Sequence, residues 1–254
     1  MRQVLKDQEV GLDPHFHYRG KSQTRIETFS DAAFALAITL LVLSSTVPES
    51  LSDLIGSMRN VVPFGICVTL ISVIWYQHYV FFLRYGLQSV QTVVINSLLL
   101  FLVLVYVYPL KFLTRFLFEI CYAMISGDWN KFSGSYGHDL TADNMALLMV
   151  IYGMGASLIF LTLAWLYRFA LKKKEDLGLD DYEIYQTRAS MRINLLQASI
   201  PLLSTIIAAF FGATRLGLII SGFCYYLYPV ILPLYGRISE KRRKKLLSEI
   251  QKGD

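Results

Sequence analysis

The sequence predicts an all-α integral membrane protein with six transmembrane helices, and three observations carry that expectation. Of 254 residues, 54% are hydrophobic and 17% charged, with a mean hydropathy of +0.45, far from the balance of a soluble domain of this length. Six windows approach the roughly 20 apolar residues that cross a hydrocarbon core of about 30 Å: 32–47, 61–83, 90–110, 145–166, 193–211 and 216–235. When the windows alternate sides, 19 of the 24 Lys and Arg residues fall on one side, leaving Arg59, Lys111, Arg115, Lys131 and Arg215 on the other. The positive-inside rule then puts both termini in the cytoplasm.

Residues 1–23 read as a flexible, retained cytoplasmic tail, since they hold no apolar leader segment. His15 and His17 are too few to specify a metal. The first window is short and reaches spanning length only if its helix includes 24–31, which sets Arg25, Glu27 and Asp31 at one membrane face. Pro48 ends it, and 49–60 returns the chain as a short amphipathic stretch. RYGLQSV joins windows two and three as a tight helical hairpin, bringing Trp75, His78 and Asn96 near one another. Window three continues as KFLTRFLFEICYAMIS, too much apolar sequence for one crossing. Pro109 therefore predicts a bend, with an extended or interfacial external helix taking up the excess. The Gly, Ser, Asn and Asp content of 127–144 marks a loop. Between windows four and five, a basic cluster mixed with five acids reads as a solvated loop or helix. The six-helix domain occupies 24–236, and 237–254 forms a basic tail explained by anionic lipid headgroups.

Several function classes are excluded. Every basic cluster abuts a span on the cytoplasmic side, so nucleic acid is not a partner. Cys67, Cys121 and Cys224 are too dispersed for a disulfide framework or a zinc site. Neither HExxH nor GxSxG occurs, so no catalytic set, enzyme activity or cofactor is expected. RIETFSD has no second copy in windows four to six, so no internal repeat emerges.

On the first helix, Ala32, Leu36, Thr39, Leu43 and Val47 form one stripe at about 100° per residue. Ala33, Ala35 and Ala37 beside it permit close helix approach. Two readings stand open at this point: ordinary bundle packing, or rings of Leu36, Thr39 and Leu43 around a symmetry axis, where a hydrophobic constriction controls ions by dewetting. Asp31 lies about 140° from Leu36 and so faces neighbouring helices. Its available partners are Arg25, Ser30, Trp75, His78 and Asn96, either as a structural network or as a proton relay through Asp31 and His78.

RIETFSD resembles the RxxxFSD signature that opens the first helix of the lysosomal and prokaryotic potassium-leak channel family, of the transmembrane protein 175 type, through Arg25, Phe29, Ser30 and Asp31. The resemblance continues through Trp75 and His78 in WYQH and through Asn96, where the family places its network partners, and covers about the first 110 residues. It implies a cation channel without the TVGYG loop, passing K+ through a constriction of first helices. Leu36 would be the narrowest ring, Thr39 a hydroxyl layer and Leu43 the next apolar ring. One six-helix unit per chain implies a homotetramer in a bacterial inner membrane, with lipids and monovalent cations as partners and no metal beyond permeating K+. The competing expectation is a proton-coupled secondary transporter using Asp31 and His78.

Overall fold

The structure, a computed structural model, describes residues 13–43, 49–137, 141–212 and 214–253. Val47 and Pro48, at the end of the first window, lie outside them. No strand occurs among the described residues, and six helices are long and apolar enough to cross a membrane.

Helix α1 (Arg25–Leu43) starts where Thr24 and Glu27 form a reciprocal cap: the Thr24 N–H donates to Glu27 Oε1 at 3.0 Å, and the Glu27 N–H donates to Thr24 Oγ1 at 3.3 Å. A short α2 (Leu51–Arg59), capped by Ser50, leads into α3 (Val61–Tyr85). The hairpin after α3 closes as expected. Gly86 caps the helix at φ 57°, a conformation that costs other residues a Cβ clash, and Ser89 caps the next helix.

That next helix, α4 (Val90–Ser126), runs unbroken for 37 residues through Pro109. Of the two expected ways to take up the excess, an extended or an interfacial helix, the chain uses the extended one, about 55 Å long at 1.5 Å per residue. Proline removes one rung of the hydrogen-bond ladder, and the chain on either side keeps its helical path. The segment expected to be a loop holds α5 (Trp129–Tyr136), whose Phe132 and Tyr136 pack on Phe116 of α4.

Helices α6 (Ala142–Lys172) and α7 (Asp181–Phe211) form the most extensive helix pair, sealed where Ser157 Oγ donates to the Ala198 carbonyl at 3.1 Å. The sixth window is built in three pieces rather than one: α8 (Arg215–Phe223), a 3-10 turn (Cys224–Leu227) and α9 (Tyr228–Gly253). Pro229 has no N–H to donate to the preceding turn, and the chain tightens there, with the Tyr228 N–H turning to the Tyr225 carbonyl. The core gathers Phe34, Ala37 and Leu41 of α1 against Ile71 and Phe81 of α3, Leu99 and Val103 of α4, and Leu163 of α6.

From Asp13 onward the N-terminal segment is a strap, not the flexible tail expected. Its Arg19 and Gly20 N–H groups donate to the Arg84 and Leu83 carbonyls at 3.2 and 3.0 Å. A Cβ on Gly20 would meet the Phe82 carbonyl oxygen at 2.4 Å, so only glycine fits there. Phe16 is buried against Tyr85, with the Arg84 guanidinium over its ring at 5.0 Å from the centroid. The charged stretch between windows four and five is likewise not simply solvated. Glu183 is fully buried, pairs with Arg19 at 2.6 Å and accepts the His17 N–H at 2.8 Å.

Candidate functional site: the two faces of the first helix

Packing divides α1 into two faces. Ser30, Phe34, Ala37 and Leu41 recur at three- and four-residue spacing and are buried against α3 and α4. On the other side Ala32, Leu36, Thr39 and Leu43 are exposed, Leu36 at 49% and Leu43 at 72%, while Ala37 and Leu41 stand at 0% and 1%. Nothing among the described residues covers this stripe. Thr39 Oγ1 donates to the Ala35 carbonyl at 2.9 Å, which commits the hydroxyl hydrogen to the backbone and leaves oxygen lone pairs as the acceptor surface.

On the buried side a directed chain of hydrogen bonds joins three helices. The Asn96 amide N–H donates to Ser30 Oγ at 2.8 Å, and the Ser30 hydroxyl donates in turn to the Ile26 carbonyl at 2.8 Å. With its amide so oriented, Asn96 Oδ1 accepts from His78 Nε2 at 2.8 Å, placing the imidazole hydrogen on that nitrogen. All three side chains are buried, and the His78 ring lies between Phe34 and Phe82.

Asp31 belongs to a second, more exposed group. It accepts the Trp75 indole N–H at 2.8 Å and the Gln23 amide at 3.1 Å. No hydrogen bond joins Asp31 to His78 among the described residues. Arg25 and Phe29, expected in the same network, sit apart from it: both are exposed, Phe29 at 65%. Seven signature positions therefore resolve into a triad, a pair and two surface residues.

Sequence reasoning missed the strap's anchor. The D-x-x-E run from Asp180 to Glu183 is a capping box, legible as such, and Glu183 serves both the cap and Arg19. His17, Asp180 and Glu183 bring three potential ligand atoms within 4.8 Å. Both carboxylates are engaged by the cap, however, and the Arg19 cation occupies Glu183.

Comparison with known proteins places the chain in a family. The family described as endosomal/lysosomal potassium channel TMEM175 matches residues 25–109, the stretch that holds α1 to α3 and the first half of α4. A protein of Marivirga tractuosa named potassium channel is 54% identical over 254 residues, spanning 98% of this chain and 100% of its own. A crystal structure of the potassium channel MtTMEM175, a variant in complex with a nanobody–MBP fusion, matches with a TM-score of 0.80 at 55% identity, covering 91% of this chain and 100% of that one. With its signature stretch matched, its whole length shared with a named channel and its six-helix fold superposed on a solved one, the chain is a membrane protein of the TMEM175 potassium channel family.

Proposed function

We propose that this chain forms a homotetramer in which four copies of α1 surround an axis and pass K+ down its gradient, with no cofactor beyond the permeating ion. The observation that carries the reading is the exposed stripe of Leu36, Thr39 and Leu43 on a helix whose opposite face is fully packed. A single narrow stripe encloses nothing, but four of them close a path. Rings of Leu36 and Leu43 constrict it without charge, so that a passing ion sheds water there. Thr39 supplies the side-chain oxygens that partly replace that water, its hydrogen being directed to the backbone.

The Ser30–Asn96–His78 triad and the Asp31–Trp75 pair act as the frame that sets the rotation of α1 about its own axis. The membrane is taken to be a bacterial inner membrane, and the count of basic residues supports both termini in the cytoplasm. The transporter reading is not carried forward: the family is one of channels, and Asp31 and His78 belong to separate hydrogen-bond groups.

Purified protein in liposomes tests this directly. A K+ gradient should drive flux, Leu36→Ala should raise conductance, and Thr39→Val should bring the K+ and Na+ reversal potentials together. Unchanged conductance and reversal potentials in both variants would refute the assigned lining.

A further inference from the structure

At the end of α1 remote from the strap, a cavity of about 410 Å³ opens between the last turn of α1, the start of α3 and the middle of α4. Its walls are of two kinds. Leu41, Val42 and Phe64 make one side apolar, whereas Asn60, Lys111 and Arg115 make the other polar and cationic.

The cations are out of place by the logic that orders the rest of the chain. This end of the bundle holds five of the 24 Lys and Arg residues, and two of those five line one cavity. They belong to a stripe: Lys111, Arg115 and Tyr122 follow at spacings of four and seven along α4 and so share a face. A third cation of the five, Arg59, stacks on Tyr122 at 4.4 Å. Arg115 Nε lies 3.9 Å from Glu119 Oε1, too long for a hydrogen bond. The Arg115 side chain is 55% exposed.

We propose that this cavity binds an anion bearing a phosphate group, the best fit being an anionic phospholipid whose headgroup meets Lys111 and Arg115 and whose chain lies on the apolar wall. Arginine's fork of donors matches phosphate oxygens two at a time, and lysine adds a point charge. Lys111 Nζ also donates to the Leu41 carbonyl at 3.0 Å, in the last described turn of α1. An anion drawn to Lys111 therefore bears on the end of the helix that the proposed function places at the ion path.

The test uses the full-length protein and reads binding, not conduction, so it fails or succeeds independently of the ion pathway. Protein is reconstituted in phosphatidylcholine vesicles, in vesicles with added phosphatidylglycerol, and in phosphatidylcholine with inorganic phosphate. Thermal stability and lipid retained in native mass spectra are then measured for the wild type and Arg115→Gln. Arg115→Gln is the deciding variant, because Lys111→Gln also removes the bond to α1. Loss of one charge-assisted phosphate contact should weaken retention about tenfold. Stabilisation by phosphatidylglycerol that Arg115→Gln abolishes supports the lipid as source. The same pattern with inorganic phosphate alone supports the site with a free anion as source. Equal retention and equal stability in wild type and variant under every condition overturn the proposal.

Discussion

Asn96 is the residue on which the frame of α1 turns. It is buried, it donates to Ser30 on one side, and it accepts from His78 on the other. Removing a buried partner leaves the remaining groups desolvated and unpaired, at about 1–3 kcal/mol for each. Asn96→Leu should therefore lower the melting temperature of the purified protein more than Ser30→Ala, because it strands both Ser30 and the imidazole. Equal melting temperatures for Asn96→Leu and wild type would show that the triad contributes nothing to stability. The residue types in this cluster were legible from the sequence, since Ser30, Asp31, Trp75, His78 and Asn96 are the polar-capable side chains at matching depth in three spans. Their partition was not. Separating Asp31 with Trp75 from Ser30 with Asn96 and His78 depends on the rotation of three helices within a fraction of a turn, which hydrophobic periodicity does not resolve. Arg25 and Phe29 complete the signature yet lie on the surface of the single chain, where only a second molecule would cover them.

At the scale of elements, the strap is the part of the fold that composition hid. A polar segment with two histidines and few apolar residues reads as solvated, but Arg19 reaches Glu183 and the Leu177 and Gly178 carbonyls across more than 150 residues of chain. The expected consequence is large: Arg19→Ala leaves the Glu183 carboxylate buried without its cation, at a cost on the order of 3 kcal/mol. Denaturation of the variant in detergent measures it, and restored stability in Arg19→Ala combined with Glu183→Gln would confirm the origin of the loss. Gly20→Val should release the same segment to proteolysis by steric exclusion alone. The strap should also be sensitive to acid. Burial works to raise the Asp13 carboxyl, but hydrogen bonds from Tyr182, the His15 N–H and Gln186, with the charge of Arg243, hold it below its ordinary value of 3.8. A depressed carboxylate contributes stability that is present above its unfolded value and is lost as pH falls through the folded one. Protection of the strap should thus be constant near neutrality and decline below pH 3.8. In Asp13→Asn, protection should be weaker near neutrality and keep only the part of the acid limb owed to Glu183, whose carboxyl, despite burial, Arg19 and the His17 N–H also hold below its ordinary value. An identical pH profile in wild type and Asp13→Asn would remove Asp13 from the account.

For the whole molecule, six spans were readable because the bilayer imposes a length and a hydropathy that survive any detail of packing. The breaks inside them were less so: α4 stays helical through Pro109, whereas the last span divides at a 3-10 turn before Pro229. A proline states only that one donor is missing, and the surrounding helices decide whether the path bends. The stripe on α1 is one of several apolar faces that the single chain leaves exposed, and the assembly proposed to cover it is a ring of four. The most direct measurement is cysteine accessibility along α1, recorded as K+ current in a Cys121→Ser background, since Cys67 and Cys224 are buried. The account predicts that a charged thiol reagent blocks current through Leu36→Cys and Thr39→Cys and leaves Ala37→Cys and Leu41→Cys unaffected. Block at Ala37→Cys and Leu41→Cys with none at Leu36→Cys or Thr39→Cys would contradict it.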